Sequence, residues 1–400
     1  MPAPSLTVPV GAPAREVAPS TGRTGRGIGP VVVVAAVFVG LVAYGWYGQS
    51  AAVPSDREAD GHRLSTLYDP PDRPVEAALN ARDGQVFAAL AVDPTIRRPE
   101  LIRGGAGEVA YRHQRPLLGW TGWLVSGGDP ERVPWALVAV SALSVVAMVA
   151  AAALALRRLG APPALAGLLL VLPGSLADIT FVGPEALGCA LLVAGVLEWT
   201  RPAPSRRSIL LALAAFALAG LCRETLLVVP AALALRELAR GRLRPTALLA
   251  ATAAPYVAWV VVLRSIVGSW PVGTVSGRLS VVPFAGLVEA APSWPPGEVL
   301  AIGATIALAG AGLALGRDPA WRVAIGANLV LAAALGEPVW ARSADVGRVL
   351  LPGAVLGLVA LGTRWRPSSG AEPVEPADNR ADNRADDPAD RRSEAVLASD

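Results

Sequence analysis

The sequence predicts an all-α integral membrane protein with about ten transmembrane helices and one long extracytoplasmic loop. Of its 400 residues, 53% are hydrophobic and only 17% are charged, whereas soluble chains carry about 25% charged residues. The mean hydropathy is +0.47, and the apolar residues are concentrated in long runs. The arginines, finally, are distributed unevenly between the connecting loops, as in membrane proteins of fixed orientation.

The predicted spans follow from these apolar runs. A helix needs about 20 mainly apolar residues to cross a bilayer, and somewhat fewer where it is covered by other helices. Several of the runs are short, so the predicted boundaries of these spans are approximate. The ten segments cover residues 31–48, 134–156, 161–177, 186–199, 208–221, 225–238, 246–263, 298–315, 323–336 and 349–362.

The arginine distribution predicts the orientation of the chain. With the N-terminus in the cytoplasm, thirteen arginines fall in the cytoplasmic connections and after the last span, and five fall in the short external connections. Positively charged loops are retained on the cytoplasmic side. We therefore expect both termini in the cytoplasm, and we interpret the first span as a signal-anchor rather than a cleaved signal peptide.

These assignments divide the chain into three parts. Residues 1–30 form a tail rich in Pro, Gly, Ser and Thr, and residues 367–400 form an acidic tail with the near-repeats ADNR-ADNR-ADDP-ADRR. Both are predicted to be disordered and cytoplasmic, because such compositions cannot bury enough apolar surface to offset the entropy of ordering. The membrane domain covers residues 31–366, and its long extracytoplasmic loop covers residues 49–133.

The composition also excludes several classes of protein. A chain this apolar is not a cytosolic enzyme, a secreted disulfide scaffold or a nucleic-acid reader. Its two cysteines, Cys189 and Cys222, both lie within apolar runs, where a thiol behaves as a small hydrophobic side chain. We expect both to be buried and unbridged.

Asp83 precedes a short apolar run, residues 86–91, that is predicted to lie at the membrane interface. A carboxylate in such a partly desolvated place can have a tuned proton affinity, as a general base for an alcohol requires. Aspartate before a helical run is equally a favoured N-cap. The residue pattern alone leaves both readings open.

A second cluster, residues 111–115, reads YRHQR. Arg112 and Arg115 are three residues apart, so they would share one face of a helix and could hold a phosphate through bidentate hydrogen bonds. Contact with lipid headgroups or with a nearby acid is the alternative. His113 has only His62 as a second histidine, so we assign it to no metal site.

Further charged residues, whose transfer into a membrane is energetically unfavourable, lie at the outer ends of predicted spans. Glu185 begins one span, Arg223 and Glu224 stand between two others, and Arg348 precedes the last. Charged residues at such positions are usually functional or paired, so salt bridges that fasten helices together are the alternative for each. All of them share the predicted side of Asp83, which favours a single extracytoplasmic site.

These residues carry a resemblance to a known group of proteins. The strings DGQVF at 83–87 and YRHQR at 111–115 resemble the "YDGQFY … YRYQR" pattern of actinobacterial polytopic proteins of the GT-C glycosyltransferase superfamily. Residues 184–187, 222–225 and 340–352 resemble its later elements in the same order. The chain departs from the pattern at Arg82, Ala88 and His113, and at 183–184, where the family has threonine before the glutamate.

The resemblance implies a GT-C-like fold and transfer of a sugar from a polyprenyl-phosphate donor to an acceptor of the cell envelope, usually with inversion. It implies that Asp83 is the catalytic base. It also implies a set of substrate-binding residues; we assign Gln85, Tyr111, Arg112, Gln114, Arg115, Glu185, Arg223, Glu224 and Arg348 to it. No cofactor is certain, and a divalent cation stays open.

Two other functions compete with this one. A transporter or flippase of a lipid-linked or small polar substrate would more often carry its polar residues near mid-membrane on broken, repeated helices. A non-catalytic membrane protein of envelope assembly would carry charges that can be replaced without chemical consequence. The absence of an internal repeat and the one-sided charges favour the transferase.

Overall fold

The computed structural model describes residues 27–48, 65–69, 71–80, 83–271 and 279–365. Within these ranges the regular elements are helices, and the extended pairs are two isolated bridges, Ser65–Ile102 and Leu279–Leu335. The all-α prediction is confirmed for this part of the chain. Both tails, apart from residues 27–30, lie outside the described residues, as does Arg82.

The α-helices are α1 (Ile28–Ala43), α2 (Pro74–Asn80), α3 (Gly84–Val92), α4 (Ala106–His113), α5 (Pro116–Ser126), α6 (Val133–Arg158), α7 (Pro173–Phe181), α8 (Glu185–Trp199), α9 (Arg206–Cys222), α10 (Val228–Ala239), α11 (Leu243–Ala251), α12 (Ala254–Val267), α13 (Ala285–Ala290), α14 (Pro296–Leu315), α15 (Pro319–Ala333), α16 (Glu337–Trp340) and α17 (Ser343–Gly362).

Among the described residues, five helical segments are long and apolar enough to cross a membrane: Ile28–Tyr47, Val133–Arg158, Leu243–Val267, Pro296–Leu315 and Ala344–Trp365. A sixth arises if the 3₁₀-helix Pro163–Val171 and α7, which meet at 62°, form one bent span. Leu172, between them, is extended with ψ 139°, the conformation that a following proline imposes. The other predicted spans include α8, α9 and α10, helices of 15, 17 and 12 residues. Ten spans therefore stay a prediction.

The exposure of the apolar helices indicates a membrane protein. The apolar window within Ile28–Tyr47 has a mean hydropathy of 2.3 but is only 11% buried, and Val33 and Leu41 are 62% and 67% exposed. Soluble proteins rarely expose apolar surface of this extent. The window within Ala344–Trp365 is 89% buried. Helix α17 therefore lies at the centre of the bundle, and α1 presents an apolar face outward.

Glycine contacts hold α17 tightly against its neighbours. An added Cβ on Gly312 of α14 would collide with Gly357 of α17, and one on Gly174 of α7 would collide with Gly347 of α17. Small residues allow such close approach of helix backbones in membranes. The second contact matters for the site, because Gly347 immediately precedes Arg348 and sets this residue against α7.

The run at residues 86–91 was predicted to lie in the membrane interface, and the structure instead buries it within the protein. Helix α3 packs on α5 and α6, and Ala88, Leu90 and Ala91 are completely covered. Gly119 of α5 lies against Leu90 so closely that a Cβ there would collide with it. This close packing covers the run with protein and fixes the start of α3, where Asp83 lies.

Candidate functional site

Asp83 lies immediately before α3, and its side chain points away from that helix. Its backbone is helical, with φ −59° and ψ −21°, and its side chain makes no capping hydrogen bond. Capping residues usually adopt extended backbone angles that direct their side chain to the helix amides. Instead, Arg348 Nη1 donates to Asp83 Oδ2 at 2.9 Å, and Arg112 Nη1 lies 3.5 Å from Oδ1. The N-cap reading is therefore wrong.

Arg348 joins three segments of the chain at this point. Besides Asp83, its guanidinium contacts Glu185 at the start of α8, with Nη2 to Oε1 at 3.0 Å. Its Nε lies 3.9 Å from Asp178 Oδ1 in α7, and its Nη1 lies 3.8 Å from Asp345. Its side chain is only 6% exposed. Arg348 thus connects the accessible carboxylate of Asp83, which is 36% exposed, to a buried acidic pair.

Two further ion pairs extend this group of charges. Arg223, which directly follows α9, pairs with Glu185, whose side chain is fully buried. Arg115, just before α5, binds Glu224 through two hydrogen bonds, Nε to Oε2 at 2.8 Å and Nη2 to Oε1 at 2.6 Å. The bidentate geometry is the strong form of this pair. We call the group of Asp83, Arg112, Arg115, Asp178, Glu185, Arg223, Glu224 and Arg348 the charge network.

Arg112 and Arg115 do not share a helix face as predicted. Helix α4 ends at His113, and Arg115 has non-helical backbone angles ahead of α5. The proline that begins α5 disfavours a helical conformation at the preceding residue, so the helix cannot continue. Both guanidinium groups nevertheless lie 5.6 Å from the centroid of the Tyr111 ring. Tyr111 therefore holds the two arginines near each other by cation–π contact.

Gln85 and Gln114, also predicted as binding residues, make contacts within the protein. Gln85 is 1% exposed and accepts a hydrogen bond from the Ser65 amide at 2.8 Å. Gln114 is 5% exposed and accepts one from the Tyr256 hydroxyl at 3.0 Å. Their positions support the loop segments around the network, and their binding roles stay predictions.

The electrostatic balance of the network keeps Asp83 ionised. The partial loss of solvent around Asp83 would by itself raise its pKa, but the nearby Arg348 and Arg112 guanidiniums outweigh this effect, so the pKa lies below its usual value. The four arginines are matched by at least as many carboxylates: Asp83, Asp178, Glu185 and Glu224 in the network, with Glu108 bound to Arg112 at 2.6 Å. An arriving anion would therefore have to take the place of a carboxylate.

Asp178 was not among the predicted binding residues, although it is fully buried at the centre of the network. Its Oδ2 accepts a hydrogen bond from the Ala186 amide. Its Oδ1 and Glu185 Oε2 are buried, with no hydrogen-bond donor among the described residues. An acid within an apolar run was the available sequence signal. Its partners come from α8 and α17, which the sequence does not place together.

Gly183 makes room for this acidic pair. A Cβ there would collide with Asp178 Oδ1 and lie 2.6 Å from Glu185 Oε2. Gly183→Ala is therefore expected to lower stability by about 1–3 kcal/mol, as overpacking does, and to displace Glu185 from Arg348. Thermal unfolding in detergent measures the loss. Gly303→Ala is the control, because a Cβ on Gly303 would meet no atom within 4 Å; equal melting temperatures for both variants would contradict the close contact.

His113 is buried, and its Nδ1 lies 2.9 Å from the Val109 carbonyl. Burial lowers its pKa, so the ring is neutral at pH 7. Within the described ranges, no group of three or more His, Cys, Asp or Glu side chains could hold a metal ion. A divalent cation at Asp83 stays an untested expectation. Cys189 and Cys222 are both buried and free, as predicted.

Comparison with known proteins gives limited similarity. No protein-family model matches the chain, and no curated protein sequence matches it. Two crystal structures of ArnT from Cupriavidus metallidurans are similar in fold: the form bound to undecaprenyl phosphate, with 16% identity and a TM-score of 0.48, and the apo form, with 17% and 0.47. The matches cover 82% of this chain, which spans 60% and 59% of the length of those two chains.

Proposed function

We propose that this chain is a membrane glycosyltransferase that moves a sugar from a polyprenyl-phosphate donor to a hydroxyl group of an envelope acceptor. The observation that carries the proposal is the pairing of one accessible carboxylate, Asp83, with guanidinium groups from distant segments. Arg112 lies in α4, between the first two membrane-crossing helices, and Arg348 belongs to α17, the last of them, yet both contact this carboxylate. The order and residues of the GT-C-like segments support the same assignment.

The proposed chemistry is a displacement at the anomeric carbon. The acceptor oxygen forms a bond to that carbon as its proton passes to Asp83, while the bond from the carbon to the donor phosphate oxygen breaks. The electron pair leaves with the phosphate, whose charge grows in the transition state. Guanidinium groups held in place beforehand stabilise such charge. Attack opposite to the leaving phosphate inverts the anomeric centre.

Arg112 is the arginine best placed to bind the donor phosphate first. Its 3.5 Å contact with Asp83 is longer than the 2.9 Å contact of Arg348, and its side chain is 22% exposed, against 6% for Arg348. A phosphate that draws Arg112 away from Asp83 would remove one of the charges that lower the pKa of this carboxylate. Asp83 would then become a stronger base once the donor is bound.

The proposed site faces the extracytoplasmic side. The arginine distribution supports this, because the network lies at the ends of α8 and α9 opposite to the arginine-rich connection between them. Acceptors on that side are lipids and glycans of the envelope. Nucleotide sugars are cytoplasmic, so a transfer reaction on that side cannot use them as donors. A lipid-linked donor therefore suits a site in this position.

Mass spectrometry of envelope glycolipids and glycans tests the function. A strain that lacks the gene is expected to lose a hexose- or pentose-sized increment that reappears on complementation, and purified protein is expected to release polyprenyl phosphate only when an acceptor is present. A flippase would instead change the leaflet in which a lipid-linked sugar is found, without breaking its glycosidic bond. An unchanged set of glycans together with a changed leaflet distribution would contradict the transferase.

A further inference from the structure

A second charged site lies at the other end of the helix bundle. A cavity of about 380 Å³ lies there, between the ends of α8 and α10 and the starts of α9, α11 and α15. Its charged lining consists of Arg201, Arg236, Glu237, Arg240, Arg242 and Asp318; we call it the arginine cavity. Helix α8 runs from Glu185 in the charge network to Trp199 in the cavity wall, and its 15 residues span about 22 Å. The two sites are therefore separate.

The charges of the arginine cavity do not balance within it. Glu237 is 4% exposed, and its carboxylate is surrounded by three guanidinium groups: Arg236 at 3.1 Å, Arg240 at 3.6 Å and Arg242 at 3.4 Å. The second acid, Asp318, is engaged as a helix cap, since its Oδ1 accepts from the Ala320 amide at 2.8 Å. The fourth arginine, Arg201, pairs with Glu198 outside the lining at 3.0 Å, so the three arginines around Glu237 and the two acids leave a net charge of +1 around the cavity.

The arginines keep unused capacity for an anion. Each guanidinium carries five N–H donors, and one carboxylate with two oxygens can occupy only a few of the fifteen that surround Glu237. The side chains of Arg240 and Arg242 are 44% and 65% exposed, so an incoming group can reach them. Phosphate oxygens match the planar fork of a guanidinium.

The apolar part of the lining suits a group attached to a lipid. Trp199 and Ile209 belong to the wall, and tryptophan is enriched where membrane proteins meet the headgroup layer. Basic pockets between helices on the cytoplasmic side are typical binding sites for acidic phospholipid headgroups. The positive-inside distribution of arginines assigns this end of the bundle to the cytoplasm.

We propose that the arginine cavity binds a phosphate group, either that of an anionic phospholipid headgroup or a free phosphate ion. The site is independent of the sugar transfer proposed for the opposite end. It would fix the turn between α10 and α11 to the end of α8 and the start of α15 through an anion that supplies the missing negative charge.

Native mass spectrometry of the full-length protein tests the proposal. The protein is purified in a neutral detergent and titrated with phosphatidylglycerol or, at equal chain length, with phosphatidylcholine. Thermal unfolding is measured in parallel with inorganic phosphate and with chloride at matched ionic strength. We expect phosphatidylglycerol to bind at least about tenfold more tightly than phosphatidylcholine, since each arginine near an anionic headgroup contributes about fivefold in affinity and several arginines line the cavity.

Matched variants show whether the cavity is responsible. Arg240→Gln with Arg242→Gln removes two charges from the lining and is expected to weaken phosphatidylglycerol binding at least about tenfold. Arg206→Gln with Arg207→Gln removes two exposed charges from the start of α9, outside the lining, and is expected to leave binding unchanged. Arg240→Gln alone is a milder version, whose smaller loss remains measurable if the double variant unfolds.

The outcomes separate the sources of the phosphate. Protection by inorganic phosphate without selective lipid binding, lost in the Arg240 and Arg242 variants, would support the site and identify a soluble anion. Selective lipid binding lost in the same variants would identify the headgroup. Equal weakening by both double variants, or no effect of either probe, would overturn the proposal.

Discussion

Asp83→Asn is expected to reduce sugar transfer by about 10²–10⁴-fold, the range typical of a removed general base. Asparagine has nearly the same shape as aspartate but cannot accept the acceptor proton. It keeps an oxygen that can accept a hydrogen bond from Arg348, which now lies 2.9 Å from the carboxylate. The variant should therefore keep most of the contact with Arg348 and lose the ability to take the proton from the acceptor hydroxyl.

The comparison uses strains that produce equal membrane levels of wild type, Asp83→Asn, Asp83→Glu and Asp129→Asn. Asp129 is the control, because its side chain is 40% exposed in the segment before α6 and pairs with Arg132 rather than with the network. Asp83→Glu should retain part of the activity because it keeps a carboxylate. If Asp83→Asn restores the glycan profile as fully as wild type, Asp83 is not the base.

The dependence of transfer on pH gives a second readout of Asp83. Its pKa is held below the usual value by Arg348 and Arg112, although burial alone would raise it. A group of this kind loses its charge only as the pH falls through the lowered value. At donor concentrations well below KM, where transfer reports the pKa values of the free protein, wild type should therefore show no acid limb from Asp83 above about pH 5, since an ordinary aspartate titrates at about 3.9.

The sequence predicted the class of the fold and most members of the charge network, because charges are costly within apolar runs and therefore stand out. Glu185 begins α8, Arg223 follows α9 and Arg348 lies in the second turn of α17. What the sequence could not provide was the pairing between them. The contact of Arg348 with Asp83 joins residues 265 positions apart, and it depends on the close approach of α7 and α17 at Gly174 and Gly347.

Local patterns were least reliable where tertiary packing decides the outcome. Aspartate before a helix predicts a cap, yet Asp83 turns toward Arg348 because two guanidinium groups offer a stronger interaction than the helix amides. The run at 86–91 resembled an interfacial helix, and the glycines of α5 instead allow protein to cover it. Both departures from the local pattern have the same origin: the partner comes from a distant part of the chain.

Arg348→Gln is expected to abolish transfer and to destabilise the protein by about 3–5 kcal/mol, as removal of one partner from a buried ion pair does. Glutamine leaves Glu185, which is completely buried, with one of its two arginine partners, Arg223, and it cannot hold Asp83 by charge. Thermal unfolding in detergent and the transfer assay measure the two effects. Arg364→Gln, an exposed change beyond the other end of α17, should alter neither.

A double variant separates a structural role of Arg348 from a functional one. Adding Glu185→Gln to Arg348→Gln removes a fully buried carboxylate that has lost one of its two arginines, and leaves the other, Arg223, 14% exposed, so part of the lost stability should return. Transfer should not return, because Asp83 and the donor phosphate still lack the guanidinium. Arg348→Lys gives a second test: it keeps the charge, but one ammonium cannot reproduce the two separate contacts that Nη1 and Nη2 make with Asp83 and Glu185. If transfer instead rises and falls with stability in all three variants, Arg348 only stabilises the packing of the helices. The charge network would then fit a non-catalytic membrane protein better than a transferase.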